Sequence, residues 1–252
     1  MEHVRIDDHG AVRVVTMRRG KANALNGAMT GALQSAIGEA RGDEAVRGIV
    51  LASGCPRFFS SGFDVEEVFA LGRTGMKDFF ERFTALYESI ALCPKPVVAA
   101  ISGYAFAGGA VLAVACDFRV MAEGPWSFAL NEVNLGTLLP DGIIRLVLGA
   151  VGPAHARAIL LSGETIAPAR AFEIGLAKEL TGAEAALDRS VEIARSLAGK
   201  TPSAFAQVKG RLRECGGYAG SDPAAIEAFL DSWFSEEAIE RRGALRASMN
   251  KT

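Results

Sequence analysis

The sequence has little with which to build a metal or redox centre. Among its 252 residues are three histidines and four cysteines. Cys55, Cys93, Cys116 and Cys215 form no C-x-x-C pair, and no histidine lies near any of them. That spacing matches neither the common zinc motifs nor a disulfide framework, so no metal site is expected and the cysteines are read as buried apolar packing. His3, His9 and His155 are read as surface or structural residues. Charge of one sign is also missing. With 27 basic and 29 acidic residues the net charge is −2, and no long basic run offers a surface to nucleic acid or membrane. The most apolar stretch, around residues 104–116, is too short to cross a bilayer and is broken by glycines. The first residues, MEHVRIDDHGAVRVV, carry acids and a strand pattern where a signal peptide needs a basic end and an apolar block. A cytoplasmic protein is expected. No G-x-x-x-x-G-K-[ST], G-x-G-x-x-G or G-x-S-x-G occurs, which leaves a phosphate loop, a dinucleotide fingerprint and a nucleophile elbow unsupported.

What is present is apolar and alternates between two periods. Half of the residues are hydrophobic, enough for a substantial core. VRVVTM (12–17), RGIVLAS (47–53), KPVVAAIS (95–102), DFRVMAE (117–123) and SFAL (127–130) read as strands. Between them, Met76, Phe79, Phe80, Phe83, Leu86, Tyr87 and Ile90 repeat at helical spacing. Residues 27–40, 153–161, 168–176 and 183–198 also read as helices. Strands separated by helix-length segments predict an α/β layer fold with right-handed crossovers. The composition shifts at AGKTP (198–202), beyond which everything reads as helix. Residues 1–197 are therefore expected to form a core and 198–252 a helical segment. Its stripe of Ile226, Phe229, Leu230 and Trp233 must pack on that core or on another subunit.

Two places bring small residues to a strand-to-helix junction: FFSSGFDVEEV (58–68) and GYAFAGGAVLAV (103–114). Helix N-termini carry unpaired N–H groups and a partial positive charge. Two such groups aimed at one point make an oxyanion hole. The alternative is that Gly62, Gly108 and Gly109 are only turn and cap glycines, and spacing alone leaves both readings open.

Five motifs in order resemble those of the crotonase (enoyl-CoA hydratase/isomerase) superfamily, over almost the whole chain. They are KANALN (21–26), FFSSGFDVEEV, CPKPVVAAISGYAFAGGAVLAVACDFRVMAE (93–123), FALNEVNLGTLLPDG (128–142) and LLSGETIAPARAFEIGLAKEL (160–180). The resemblance implies a ββα spiral core binding acyl-CoA. The hole donors would be the backbone N–H groups of Phe63 and Gly108, gripping a thioester carbonyl, with Gly108 bare so that the carbonyl can approach. It implies no cofactor beyond the coenzyme A of the substrate. It also implies a homotrimer or hexamer with the C-terminal helices at subunit contacts or acting as a lid.

Side chains decide which reaction such a fold performs. Hydration in this family uses two glutamates to hold one water. Val111 stands at the first position and Glu132 at the second. One carboxylate suits the transfer of a double bond from the 3,4 to the 2,3 position, taking a proton from C2 and returning one to C4. AGGxxLAxxCDxR followed by LNExxLG resembles Δ3-Δ2-enoyl-CoA isomerases, and the tail lacks the D-x-x-E-G-x-x-A-F element of hydratases. A hydratase or dehydratase using Glu132 with Asp141 or water is the alternative, and a non-catalytic acyl-CoA-binding homologue is the third. Asp141 is a possible second acid or a helix N-cap. For CoA and the acyl group the resemblance points to Lys21, Ala22, Ala24, Ser61 and Asp64, then to Val68, Val111, Leu138 and Leu139, with Phe69 and Leu71 nearby. Arg19 or Lys21 is a candidate for the phosphates.

Overall fold

The computed structural model describes residues 3–218 and 222–249. Strands β1 (Val4–His9) and β2 (Val12–Met17) form a hairpin, with Val4 opposite Met17. Helix α1 (Gly27–Gly42) follows, its first turn capped by the Asn26 side chain, which accepts from the Met29 N–H. Next come β3 (Gly48–Ser53), β4 (Phe58–Ser60) and α2 (Arg73–Ala91). The apolar face of α2 is buried through Met76, Phe79, Phe80, Phe83, Leu86 and Ile90, as its spacing predicts. Then β5 (Val97–Ile101), β6 (Tyr104–Phe106), α3 (Gly108–Ala115) and β7 (Phe118–Ala122) complete the central layers. Strand β8 (Phe128–Ala129) leads into a 3-10 turn, Glu132–Leu135.

The rest is mostly helical: α4 (Asp141–Ser162), α5 (Pro168–Glu173), a short strand β9 (Glu179–Thr181), α6 (Ala186–Ala198), α7 (Pro202–Cys215), α8 (Pro223–Trp233) and α9 (Glu236–Met249). Helix α4 begins at Asp141, well before the expected start at 153. It is long and apolar enough by composition to cross a bilayer. Yet Gly152 breaks its backbone at φ 74°, and Ile143, Leu146 and Val147 bury its first half in the core.

The strands make two sheets. The larger runs β1-β2-β3-β5-β7-β9, parallel after the first hairpin; the smaller is β4-β6-β8, parallel throughout. Parallel strands need crossovers, and the intervening helices supply them. The strands β3 and β5 are almost continuous apolar runs because both faces are covered. The small sheet ends in the three segments that matter below: the turn after β4, the start of α3 after β6, and the 3-10 turn after β8.

The apolar stripe on α8 packs on the core of its own chain. Phe229 stacks on Phe80 of α2 at 3.7 Å, and Trp233 meets Phe69 edge-on at 5.3 Å. Stacked pairs of this kind contribute about 1 kcal/mol beyond the area they bury. Of the two partners expected for the stripe of Ile226, Phe229, Leu230 and Trp233, the chain's own core is the one it meets, and Phe229, Leu230 and Trp233 are buried there. Cys55, Cys93 and Cys116 are buried, while Cys215 is exposed at the end of α7, against the expectation of apolar packing.

Candidate active site

One cavity of about 340 Å³ lies where the small sheet, α2, α4 and the two last helices meet. Its walls are apolar and unusually aromatic. Glu132 is the titratable side chain among the described residues that line it; Ser61, Asn131 and Thr137 are the other polar ones.

Each functional group is placed by a short, constrained segment. Ala107, the cap of α3, holds φ 45°, a region that residues with a Cβ rarely occupy. The first bond of the helix runs from the Val111 N–H to the Ala107 carbonyl, so the Gly108 N–H stands outside it. On the facing segment, Leu25 and Gly62 share a bond, as do Asp64 and Leu25. The Phe63 N–H between them therefore turns away from residue 25, since alternate amides of an extended chain point to opposite sides. A Cβ on Gly62 would lie 3.3 Å from the Gly108 nitrogen, which brings the two segments side by side.

Gly108 is also hemmed in by its own chain. A Cβ there would meet Cε1 of Phe63 at 2.9 Å and Leu25 Cδ1 at 3.2 Å. Packing against these two side chains therefore gives a reason of its own for a bare residue there. Gly109 is more constrained still, with the Ser60 carbonyl 2.6 Å from its notional Cβ.

Glu132 opens the 3-10 turn. Its backbone carbonyl accepts from Thr137, both from the N–H at 3.1 Å and from Oγ1 at 3.2 Å. Helix α9 supports this turn, with Ala238 Cα 3.2 Å from where a Cβ on Gly136 would stand. The residue as a whole is only half-buried, but its Oε2 is sealed from solvent and has no hydrogen-bond partner. Burial pushes its pKa up from the usual carboxylate range to about 7, offset only in part by a hydrogen bond from its own backbone. A carboxyl poised near neutrality can accept a proton and give it back.

Of the other expected residues, Ala22, Ser61, Phe63, Phe69, Gly108, Val111, Leu138 and Leu139 line this cavity. Lys21 and Ala24 flank it without lining it; Lys21 is exposed. Four expectations are corrected. Asp64 is committed to the fold, accepting from Arg19 at 2.7 Å and from the amides of Glu66 and Glu67. The same contacts fix Arg19, which also binds Glu67, so it is not free for a phosphate. Val68 is 1% exposed and faces away from the cavity with Leu71, because residues 65–71 form turns rather than the start of a helix. Asp141 neither lines the cavity nor caps: Pro140 holds the cap position, and Asp141 is exposed in the first turn of α4. Sequence reasoning missed Phe106, Asn131, Ile143, Phe229, Trp233 and Leu245. Of these, only Asn131 carried a local signal, as the neighbour of Glu132 in LNEV.

A larger groove, about 670 Å³, runs between the start of β7 and α7. Its one lining carboxylate, Asp117, is already held by Lys209 at 2.8 Å and by the Val97 N–H at 2.9 Å. Size does not make it the chemical site, because it has no unpaired acid.

Residues 7–241 match the family described as enoyl-CoA hydratase/isomerase. A carnitinyl-CoA dehydratase of Citrobacter koseri is 32% identical, over 95% of this chain and 93% of that protein. Human mitochondrial Δ3-Δ2-enoyl-CoA isomerase superposes with a TM-score of 0.90 at 21% identity, over 99% of this chain and 98% of that one, a likeness of fold. An enoyl-CoA isomerase of Mycobacterium tuberculosis superposes at 0.80 with 29% identity, over 93% and 99% of the two chains.

Proposed function

Since the chain belongs to the enoyl-CoA hydratase/isomerase family of acyl-CoA-processing enzymes, we propose that it is an enoyl-CoA isomerase that moves a 3,4 double bond to the 2,3 position. The observation that carries this reading is Glu132, the titratable side chain among the described residues that line a mostly apolar cavity. Its carboxylate takes a proton from C2 of the thioester. The Phe63 and Gly108 N–H groups hold the oxyanion of the resulting dienolate. The proton then returns at C4, the double bond lies between C2 and C3, and Glu132 is ionised again. No cofactor is needed beyond the coenzyme A of the substrate. Val111, in the first turn of α3 and lining the cavity, leaves no second acid to hold a water for addition.

The carnitinyl-CoA dehydratase relatives favour a second reading, elimination or addition of water. It would have to work with Glu132 and neutral groups such as Asn131, since Asp141 is outside the cavity. A purely binding role is disfavoured by the unpartnered Oε2, because burying a carboxyl without a partner weakens a fold. Assembly into a trimer or hexamer belongs to the same proposal. Phe172, Val208 and Leu212, all exposed along the large groove, offer a face for it. Light scattering of the purified chain tests that part.

The test of chemistry is to supply a 3-enoyl-CoA and, separately, a 2-enoyl-CoA, following the absorbance of the conjugated thioester. Conjugation gained from the first and kept in the second supports isomerisation, with Glu132→Gln lowering the rate by roughly 10²–10⁴. Loss of conjugation from the 2-enoyl-CoA overturns it in favour of hydration.

A further inference from the structure

We propose that Arg242, placed one layer behind the aromatic end of the cavity, makes the site select uncharged acyl groups and reject those that carry a cation. The inference rests on the acyl-CoA reading above and specifies the acyl class. Phe69, Phe80, Phe229 and Trp233 line that end. Aromatic faces attract cations as well as hydrocarbon, so the lining alone would suit a quaternary ammonium.

Arg242 changes that balance. It lies on α9 and is 7% exposed. Its guanidinium sits 4.0 Å from the centre of the Trp233 ring and 5.7 Å from that of Phe69. Nη1 donates to the Trp233 carbonyl at 2.6 Å, which fixes the stack. Among the described residues no carboxylate pairs with it; the neighbouring Arg241 takes Glu237. The rings are therefore already polarised by a buried cation. A second cation inside the cavity would face it across little more than a ring, in a medium that screens poorly. Glu132, raised to about 7 by burial, offers only part of a counter-charge near neutral pH. An anionic acyl end would be drawn by the same field, but burying its charge in a cavity without a donor for it opposes that gain. A neutral chain meets no such penalty.

The test uses two saturated, isosteric thioesters that cannot react: 5,5-dimethylhexanoyl-CoA, which is neutral, and 4-trimethylammoniobutanoyl-CoA, which carries a cation. Binding is measured by calorimetry, with hexanoyl-CoA as reference. The wild type should bind the neutral isostere at least about tenfold more tightly. Arg242→Met, which keeps the packing of the stem, should narrow the ratio to under about threefold by gaining affinity for the cation. Arg242→Lys should keep it. Should Arg242→Met fail to fold, Arg242→Gln takes its place. Equal affinities in the wild type, or an unchanged ratio without the charge, overturn the proposal. Exclusion of both isosteres while hexanoyl-CoA binds also overturns it, because bulk would then set the limit. If hexanoyl-CoA itself does not bind, the acyl-CoA reading falls and this proposal with it.

Discussion

The two ends of α3 treat their polar groups in opposite ways. At the C-terminal end, Arg119 donates to the carbonyls of Ala113, Cys116 and Leu176, and Arg213 donates to that of Ala115. Asp117 then binds Lys209 and the Val97 N–H. Cations at this end also suit the negative pole of the helix. At the N-terminal end, the Gly108 N–H stands outside the helix's own bonds, and in the same cavity the Glu132 Oε2 has no hydrogen-bond partner. Both ends are buried, so the difference is not exposure. Paired groups hold the fold; the unpaired ones await something that arrives from outside.

The comparison can be broken at either end. The largest effect is expected at the paired one. Asp117→Ala leaves Lys209 and Arg213 without their counter-charge and Val97 without an acceptor, and should cost about 3–5 kcal/mol of stability. For a chain of this size that lowers Tm by roughly 10 °C. Turnover by the folded fraction at low temperature should hold; a fall in kcat without a fall in Tm would erase the distinction between the ends.

Next comes Glu132→Gln, read by stability rather than rate. The folded-state pKa of about 7 lies above the ordinary carboxylate value of 4.5. The folded chain thus keeps a proton that the unfolded chain gives up, and stability drains away as pH rises from 4.5 to about 7. The Gln variant lacks that loss. It should match the wild type near pH 4 and exceed it by about 3 kcal/mol at pH 8. Denaturant titrations at the two pH values check this, and equal stability at pH 8 would show that the carboxyl is not held out of water.

The smallest effect is expected from Gly108→Ala. The new Cβ displaces the Phe63 ring, whose own amide is the second proposed donor. Overpacking should cost about 1–3 kcal/mol of stability. Turnover should fall about tenfold or more as the two donors lose register. Unchanged turnover would remove the N–H pair from the mechanism.

Much of this was legible in the residues, and the gaps have physical causes. VRVVTM is a strand over its whole length because both its faces are covered by apolar partners. The helical repeat of α2 was visible for the same reason. Glu132 was legible through its motif and its apolar neighbours. Val68 was not, because the chain from 65 to 71 turns instead of coiling, and a one-residue error there exchanges core for cavity. The first half of α4 was hidden by Gly152 and Pro153, which read as a boundary but only break the helix. Phe229, Trp233 and Arg242 act on the site through contacts with residues far away in the chain, and no local pattern announces such contacts.

Those distant contacts set an order of events. The floor of the cavity is assembled from consecutive crossovers, whereas its cover, α8 and α9, must return from the far end of the chain to meet α2 and the turn of Glu132. Closing so long a loop is among the slower steps a chain takes. A refolding molecule should therefore regain its helical far-ultraviolet signal before the emission of Trp233 reaches its native value, and simultaneous recovery would refute that sequence. Until the cover is down, the carboxyl of Glu132 stands in water with an ordinary affinity for protons. The raised proton affinity of Glu132 is thus a property that the chain acquires only in the last act of becoming folded.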